Sequence, residues 1–473
     1  MHSNYLALKH LLREHVFKVS YPRTLCTKVA VKERKKKVRV KDPVLGECPS
    51  QEQTNYFQSS NNHRILESVP PTLLKCDSRY KERYYVASTE CAKVICGHLT
   101  DAMPQDTFLT EINPGPGTLT REIVRKKFGS LMLIEKDAFF EPGLKQLIAS
   151  LDSSVSKQIR FKLDDFNAQG RYSYLDSIDE GNRMKKLLDG LPRKQWEDEG
   201  TNLRLFSAVD TMAFFKSLIN GIQHQKDLFT LGRCEMYLAV PPLIYKQLTC
   251  TKEAGYKFYR SGTVLFQLFF EHEFLTKLKR RDFLPWPPNS VARKIKTQFT
   301  EMKGIGTEEW YLMRVIPRKD LFDNCLVDNL NLLSFFVYQH LISRKNRIIP
   351  ALERWIPTCG TRLILHHNYT PSNRIQANVD EQSAVQLKSS PLKKNDFPPR
   401  INIYTEFGEL TPSQILALFN EFINWPEFQQ SPFLQALEQY SVKQRFVRSN
   451  HSAGEDALDD GFPESEDPER NVT

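Results

Sequence analysis

Gly115 and Gly117 close the stretch Thr107 to Gly117 (TFLTEINPGPG), in which a β-prone run enters a Pro-Gly-Pro-Gly turn, and Thr118-Leu119-Thr120-Arg121-Glu122 opens a helix behind it. A strand, tight turn and helix in that order let the main chain approach a nucleoside cofactor, and glycine removes side-chain bulk at the point of approach. Glu111, just before the turn, disfavours a pyrophosphate and favours a cationic or amine-bearing ligand, two properties of S-adenosylmethionine. The apolar run Leu131-Met132-Leu133-Ile134 ends in Glu135, twenty residues after Gly115, where a carboxylate accepts ribose hydroxyls. A third run, Ile159 to Leu163, ends in Asp164-Asp165-Phe166, a carboxylate and an aromatic for an adenine amine and ring face. Three strand ends at this spacing point to a methyltransferase-type pocket; the competing reading makes Glu135 and Asp165 solvated loop acids.

The elements that position these residues alternate. A helix is expected from Thr89 to Ala102, then strands at 107–112, 131–135 and 159–163 with helices after Gly117 and near 142–150. This is the rhythm of a parallel sheet covered on both faces. It stalls between Asn167 and Thr201, a charged insertion around Leu187-Leu188, and resumes with Leu203 to Val209, a helix Met212 to Ile222 and a strand Arg233 to Val240. Val240-Pro241-Pro242-Leu243 reads as a turn. After a helix near Val264 to Phe270, Glu273 to Lys279 and Trp310 to Ile316 read as an antiparallel edge hairpin. Its long loop interleaves Lys279, Arg280, Arg281, Arg293, Lys294 and Lys296 with Phe283 and Trp286. Cations alternating with aromatics suit a nucleic-acid strand, and equally suit solvated charge with ordinary packing. From Val327 onward the pattern is helical, broken by the basic, proline-rich Lys388 to Arg400.

The 473 residues carry a net charge of +10, unevenly spread. Residues 1–41 alone carry +10 and residues 451–473 carry −7, so the body between them is basic, which favours a polyanionic partner. The start is cationic, amphipathic and almost free of acids, the pattern of a mitochondrial presequence; Lys32 to Lys41 is either its end or a DNA-contacting arm. No apolar run is long enough to span a bilayer, so no membrane partner is expected. Nine cysteines show no C-x-x-C pair and no zinc spacing, which fits reduced thiols without a metal. The expected layout is a targeting arm (1–41), a linker (42–79), a methyltransferase-like domain (80–324), a helical domain (325–446) and an acidic tail (447–473).

Together these residues resemble the rRNA adenine dimethyltransferases and the mitochondrial transcription factor B proteins, most nearly the second mitochondrial paralogue. The resemblance covers most of residues 80–350 and rests on Arg83-Tyr84-Tyr85-Val86-Ala87, the Glu111 to Thr120 turn, Ile134 to Asp137, Asp165-Phe166 and Met313 to Phe322. It implies a class I, Rossmann-like α/β methyltransferase sheet followed by a small helical domain, with S-adenosylmethionine held by Val86, Glu111, Gly115, Gly117, Glu135 and Asp165. One departure matters. Active members end the fourth strand with Asn-(Leu/Ile)-Pro-Tyr, whose acceptors aim the adenine amine and whose ring stacks on the extruded base. Here that strand ends Phe206-Ser207-Ala208-Val209-Asp210-Thr211, so no catalytic residue is assigned. The resemblance therefore implies a mitochondrial initiation factor, in the matrix nucleoid, that helps mitochondrial RNA polymerase open promoter DNA. Arg193, Lys194, Trp196, Arg280, Arg281, Phe283 and Trp286 are the candidates for holding the non-template strand. The alternative is an active dimethyltransferase of small-subunit rRNA.

Overall fold

The computed structural model describes residues 49–59, 62–74, 83–104, 106–126, 128–201, 203–254, 258–286, 308–365, 385–393 and 396–451. The chain divides into Met1–Gly46 and Glu47–Thr473, and every described residue belongs to the second unit. The basic arm, His366-His367, the loop cations at 293, 294 and 296, and most of the acidic tail lie outside the described residues.

The main sheet is built from β2 (Phe108–Ile112), β3 (Ser130–Glu135), β4 (Ile159–Leu163), β5 (Leu203–Ala208), β6 (Glu235–Val240), β7 (Phe270–Lys279) and β9 (Glu309–Pro317). Its order is β4-β3-β2-β5-β6-β9-β7, parallel through β6, with β9 antiparallel to both its neighbours. This is the Rossmann-like sheet of a class I methyltransferase. β2, β5 and β6 are buried along their whole length, as strands covered on both faces are, and the polar residues within them, such as Glu111 and Arg204, are buried with hydrogen-bond partners. The edge strand β7 is covered in turn: Phe274 N–H donates to Leu387 O (2.7 Å) and Ser389 N–H to His272 O (2.8 Å). β1 (Tyr85–Val86) and β8 (Phe283–Leu284) form a separate antiparallel pair.

Helices cover both faces. On one face lie α2 (Thr89–Thr100), α3 (Thr118–Ile123) and α4 (Glu141–Ala149). The segment expected as a linker also belongs there. Its helix α1 (Gln51–Ser59) buries Phe57, Gln53 Nε2 donates to Leu74 O (3.0 Å), and Tyr56 donates to Asp282 Oδ1 (2.7 Å). The insertion 167–201 contributes α5 (Gln169–Asp179) and α6 (Arg183–Leu188), and the opposite face carries α7 (Met212–Gln223), α8 (Pro242–Thr249) and α9 (Ser261–Phe269). Pro241-Pro242 is therefore not just a turn: Pro242 opens α8, where a missing N–H costs nothing.

The C-terminal helices α10 (Leu330–His340), α11 (Ile348–Glu353), α12 (Cys359–Leu365), α13 (Pro412–Asn424) and α14 (Pro432–His451) join the core beneath α7 and α9. Phe336 is its hub, with ring centroids of His340, Phe407, Phe419, Phe422 and Phe433 4.5–6.4 Å away. α13 starts with a reciprocal cap, in which Thr411 Oγ1 accepts from Gln414 N–H (3.3 Å) and Gln414 Oε1 from Thr411 N–H (3.0 Å). Thr411→Ala is expected to cost about 1 kcal/mol in urea denaturation.

Candidate functional site

Parallel registry brings the sequence-predicted acids to one end of the sheet. Ile112 pairs with Ile134 and Glu135 with Leu163, so Glu111, Glu135 and Asp165 stand at successive strand ends. The turn after β2 folds back on them: Gly115 N–H donates to Glu135 Oε2 (2.9 Å), Asp137 N–H to Glu135 Oε1 (2.8 Å), and Thr120 Oγ1 to Glu111 Oε2 (2.7 Å).

Neither glutamate meets a cation in an ion pair among the described residues. Burial pushes Glu111 up to about 8, with nearby Glu135 adding to the effect and the Thr120 hydroxyl and Arg121 charge opposing it. Burial pushes Glu135 up to about 7 against the backbone N–H groups that donate to it. Two buried carboxyls held above their ordinary range would be eased by a positively charged or hydrogen-bond-donating neighbour. A ligand carrying an ammonium and ribose hydroxyls supplies what this donor set lacks, so the chemistry fits S-adenosylmethionine.

Both glycines also answer to the protein itself. Gly115 (φ +56°) lies against Tyr85, whose Cδ1 is 2.3 Å from where a Cβ would stand, and the Tyr85 hydroxyl reaches Glu135 Oε1 at 3.4 Å. Gly117 (φ +74°) caps α3 in the left-handed region. The Tyr85 ring thus packs against Gly115, with its hydroxyl toward Glu135. Val86 is buried in β1, paired with Phe283. Asp165 engages Lys136 and the N–H of Asn167 (3.1 Å), while Phe166 is core rather than a surface for a base.

At the end of β5, Thr211 is used up as the cap of α7, accepting from Ala213 N–H (3.1 Å). The Tyr84 hydroxyl donates to the Asp210 carboxylate, and the Arg280 guanidinium lies 4.9 Å from the ring centroids of both Tyr84 and Trp310. Burial raises Asp210, opposed by the Tyr84 hydrogen bond and the Arg280 charge. Tyr84, Tyr85, Thr120 and Asp210 surround these residues without a local sequence pattern that marks them, apart from the paired tyrosines before Val86.

The expected nucleic-acid set does not form one surface. Arg193, Lys194 and Trp196 lie near the starts of the parallel strands, with Lys194 N–H donating to Leu231 O (3.0 Å) and Trp196 Nε1–H to Arg318 O (3.2 Å). Arg280, Arg281, Phe283 and Trp286 follow β7 at the opposite end, beside Glu309 and Tyr85. Trp196, Arg280 and Phe283 are buried: Trp196 packs on Phe322, Phe283 stacks on Trp310, and Arg280 donates to Phe283 O (2.8 Å) and Pro285 O (2.7 Å). Trp286 rests on Tyr56 and Phe57, and Arg281 pairs with Glu52 (2.9 Å). Arg193 alone of the seven is exposed with no contact of this kind.

Among the described residues no helix is long and apolar enough to cross a membrane, and no cluster of His, Cys, Asp or Glu could hold a metal. No protein-family model matches the chain. It is 36% identical over 419 residues to the mitochondrial dimethyladenosine transferase 2 of Drosophila melanogaster, covering 86% of this chain and 89% of that protein. It is 23% identical over 305 residues to the protein of the same name in Rattus norvegicus, covering 60% of this chain and 72% of that one. Among solved structures it is similar to the 23S rRNA methyltransferase ErmE, with 14% identity, a TM-score of 0.41 and coverage of 72% of this chain and 99% of that one. A dimethyladenosine transferase from Plasmodium falciparum has 12% identity, a TM-score of 0.40 and coverage of 70% and 94%.

Proposed function

We propose a function for this chain from the family to which it belongs, the mitochondrial dimethyladenosine transferases. In this reading it is a mitochondrial initiation factor that keeps the methyltransferase scaffold and helps the mitochondrial RNA polymerase hold promoter DNA open in the nucleoid. The observation that carries the reading is the end of β5. Methyl transfer to an adenine amine needs acceptors that aim its lone pair and a ring that stacks on the base. This chain has Asp210, already bonded to Tyr84, and Thr211, already spent on a helix cap. A run-off assay on a linear promoter with the cognate polymerase tests it. Stimulation is expected, retained by Glu135→Gln, and no stimulation rejects the reading.

The intact Glu111, Glu135 and Gly115 arrangement favours a second reading, an active dimethyltransferase of small-subunit rRNA. Glu111, Gly115, Gly117 and Glu135 would then hold S-adenosylmethionine, with Val86 and Asp165 beside its adenine, and the cofactor would supply the methyl group. This reading predicts methyl incorporation into the rRNA hairpin, lost in Glu135→Gln. An unmethylated hairpin at saturating cofactor rejects it.

A further inference from the structure

The helical C-terminal region contains a shallow, open cavity of ≈ 440 Å³ lined by Lys345, Asn346, Arg347, Pro350, Ala351 and Arg354. Three cations face it and no acid lines it. Two acids adjoining its lining residues in sequence or strand pairing are engaged elsewhere: Glu353 Oε1 accepts from Gly360 N–H (3.3 Å), and Glu406 caps the turn that follows it. Lys345, Arg347 and Arg354 are exposed, and none is in an ion pair among the described residues.

The backbone around the cavity is fixed. Ile348 N–H donates to Thr405 O (2.9 Å), Phe407 N–H to Asn346 O (2.9 Å), and Arg347 bridges Glu406. The Asn346 amide donates to His340 O (3.0 Å), which leaves the three cations as the side chains that a ligand would meet. This pairing sets Tyr404 at the rim, 66% exposed, with its ring centroid 5.3 Å from the Arg347 guanidinium, and the exposed Ile403 beside it. By contrast Tyr84 and Trp310, which flank Arg280, pack against the core. Here the ring projects outward.

We propose that Lys345, Arg347, Arg354 and Tyr404 form a binding site for single-stranded nucleic acid, the cations taking consecutive phosphates and Tyr404 stacking a base. Cations along a backbone with an exposed aromatic recognise any sequence, because every base has a π-face. The proposal rests on reading the protein as a nucleic-acid binder, but it assigns that binding to a surface none of the earlier candidates includes.

The test is anisotropy of a fluorescent twelve-nucleotide single strand with the full chain across a salt series. The unaltered protein is expected to bind, while Lys345→Gln/Arg347→Gln/Arg354→Gln binds at least ~10-fold more weakly with a log-log salt slope smaller by about 2. Tyr404→Ala is expected to lose at least ~5-fold, and Tyr404→Phe to retain binding. Arg347→Lys/Arg354→Lys should bind nearly as the unaltered chain does, which separates loss of charge from loss of fold. A triple variant with unchanged affinity and slope overturns the site and leaves the functional reading standing. An unaltered chain that binds no strand overturns both. If inorganic phosphate blocks the cavity yet leaves strand binding unchanged, the cavity takes small anions only and the proposal fails.

Discussion

Between pH 5 and pH 8 the chain is expected to lose about 4 kcal/mol of stability through Glu111, and Glu111→Gln to recover most of it at the alkaline end. Folding raises this carboxyl from an ordinary 4.5 to about 8 because it is buried. Below pH 4.5 both states hold the proton and the group contributes no slope. Between 4.5 and 8 the unfolded chain releases its proton while the folded one retains it, so stability falls throughout that window and levels off above it. Glutamine keeps the size, and its amide oxygen still accepts from Thr120 Oγ1, the one side-chain hydrogen bond Glu111 makes among the described residues. Urea denaturation of both proteins at pH 5, 6.5 and 8 provides the check. Their difference should be small at pH 5 and grow with pH, and the subtraction largely cancels Glu135, Asp210 and the buried histidines, which titrate in both. A flat difference means that a cation already neutralises Glu111. The same proton links stability to ligand binding: an ammonium placed against Glu111 favours the carboxylate, so such a ligand should bind more tightly as pH rises and release a proton on binding.

The acids at one end of the sheet were legible because they follow from a local rule, a carboxylate in or just after an apolar run, which parallel registry then aligns. The contacts around them were not. Tyr85 reaches Glu135 across 50 residues, and β1 meets β8 across a pairing of Tyr85 with Leu284, which no short-range pattern announces. The segment 51–59 looked like a linker because one large apolar residue, Phe57, carries its burial, while Gln53 and Tyr56 attach it through hydrogen bonds. The dispersal of the expected nucleic-acid residues has a different physical cause. An arginine between aromatics is the composition of a strand-binding groove, and also of a cation packed between two rings in a protein interior. Arg280 between Tyr84 and Trp310 is the second kind, and only burial separates the two. Tyr404 and Arg347, 57 residues apart in sequence, make the first kind and leave no local trace.

Gly115→Ala is expected to destabilise the protein by about 2–5 kcal/mol, the sum of about 1–2 for a side chain in the left-handed region and about 1–3 for overpacking. The geometry gives both parts: φ is +56°, and the new methyl would stand 2.3 Å from Tyr85 Cδ1. Gly97 is the internal control. It sits within α2 with nothing within 4 Å of an added Cβ, so Gly97→Ala should stabilise by about 0.5–1 kcal/mol. Urea denaturation of the two variants, alone and with Tyr85→Ala, separates the causes. Removing the ring should relieve the overpacking part of the Gly115→Ala cost and leave the backbone part. An equal cost in both backgrounds means that Tyr85 is not what the missing side chain accommodates. The outcome bears on function, because a Gly115 substitution that abolishes activity would reflect this packing before any cofactor. Glu135→Gln preserves size, but its single amide oxygen keeps an acceptor for only one of the Gly115 and Asp137 N–H groups, so its urea denaturation is measured beside its activity before a loss is assigned to the ligand.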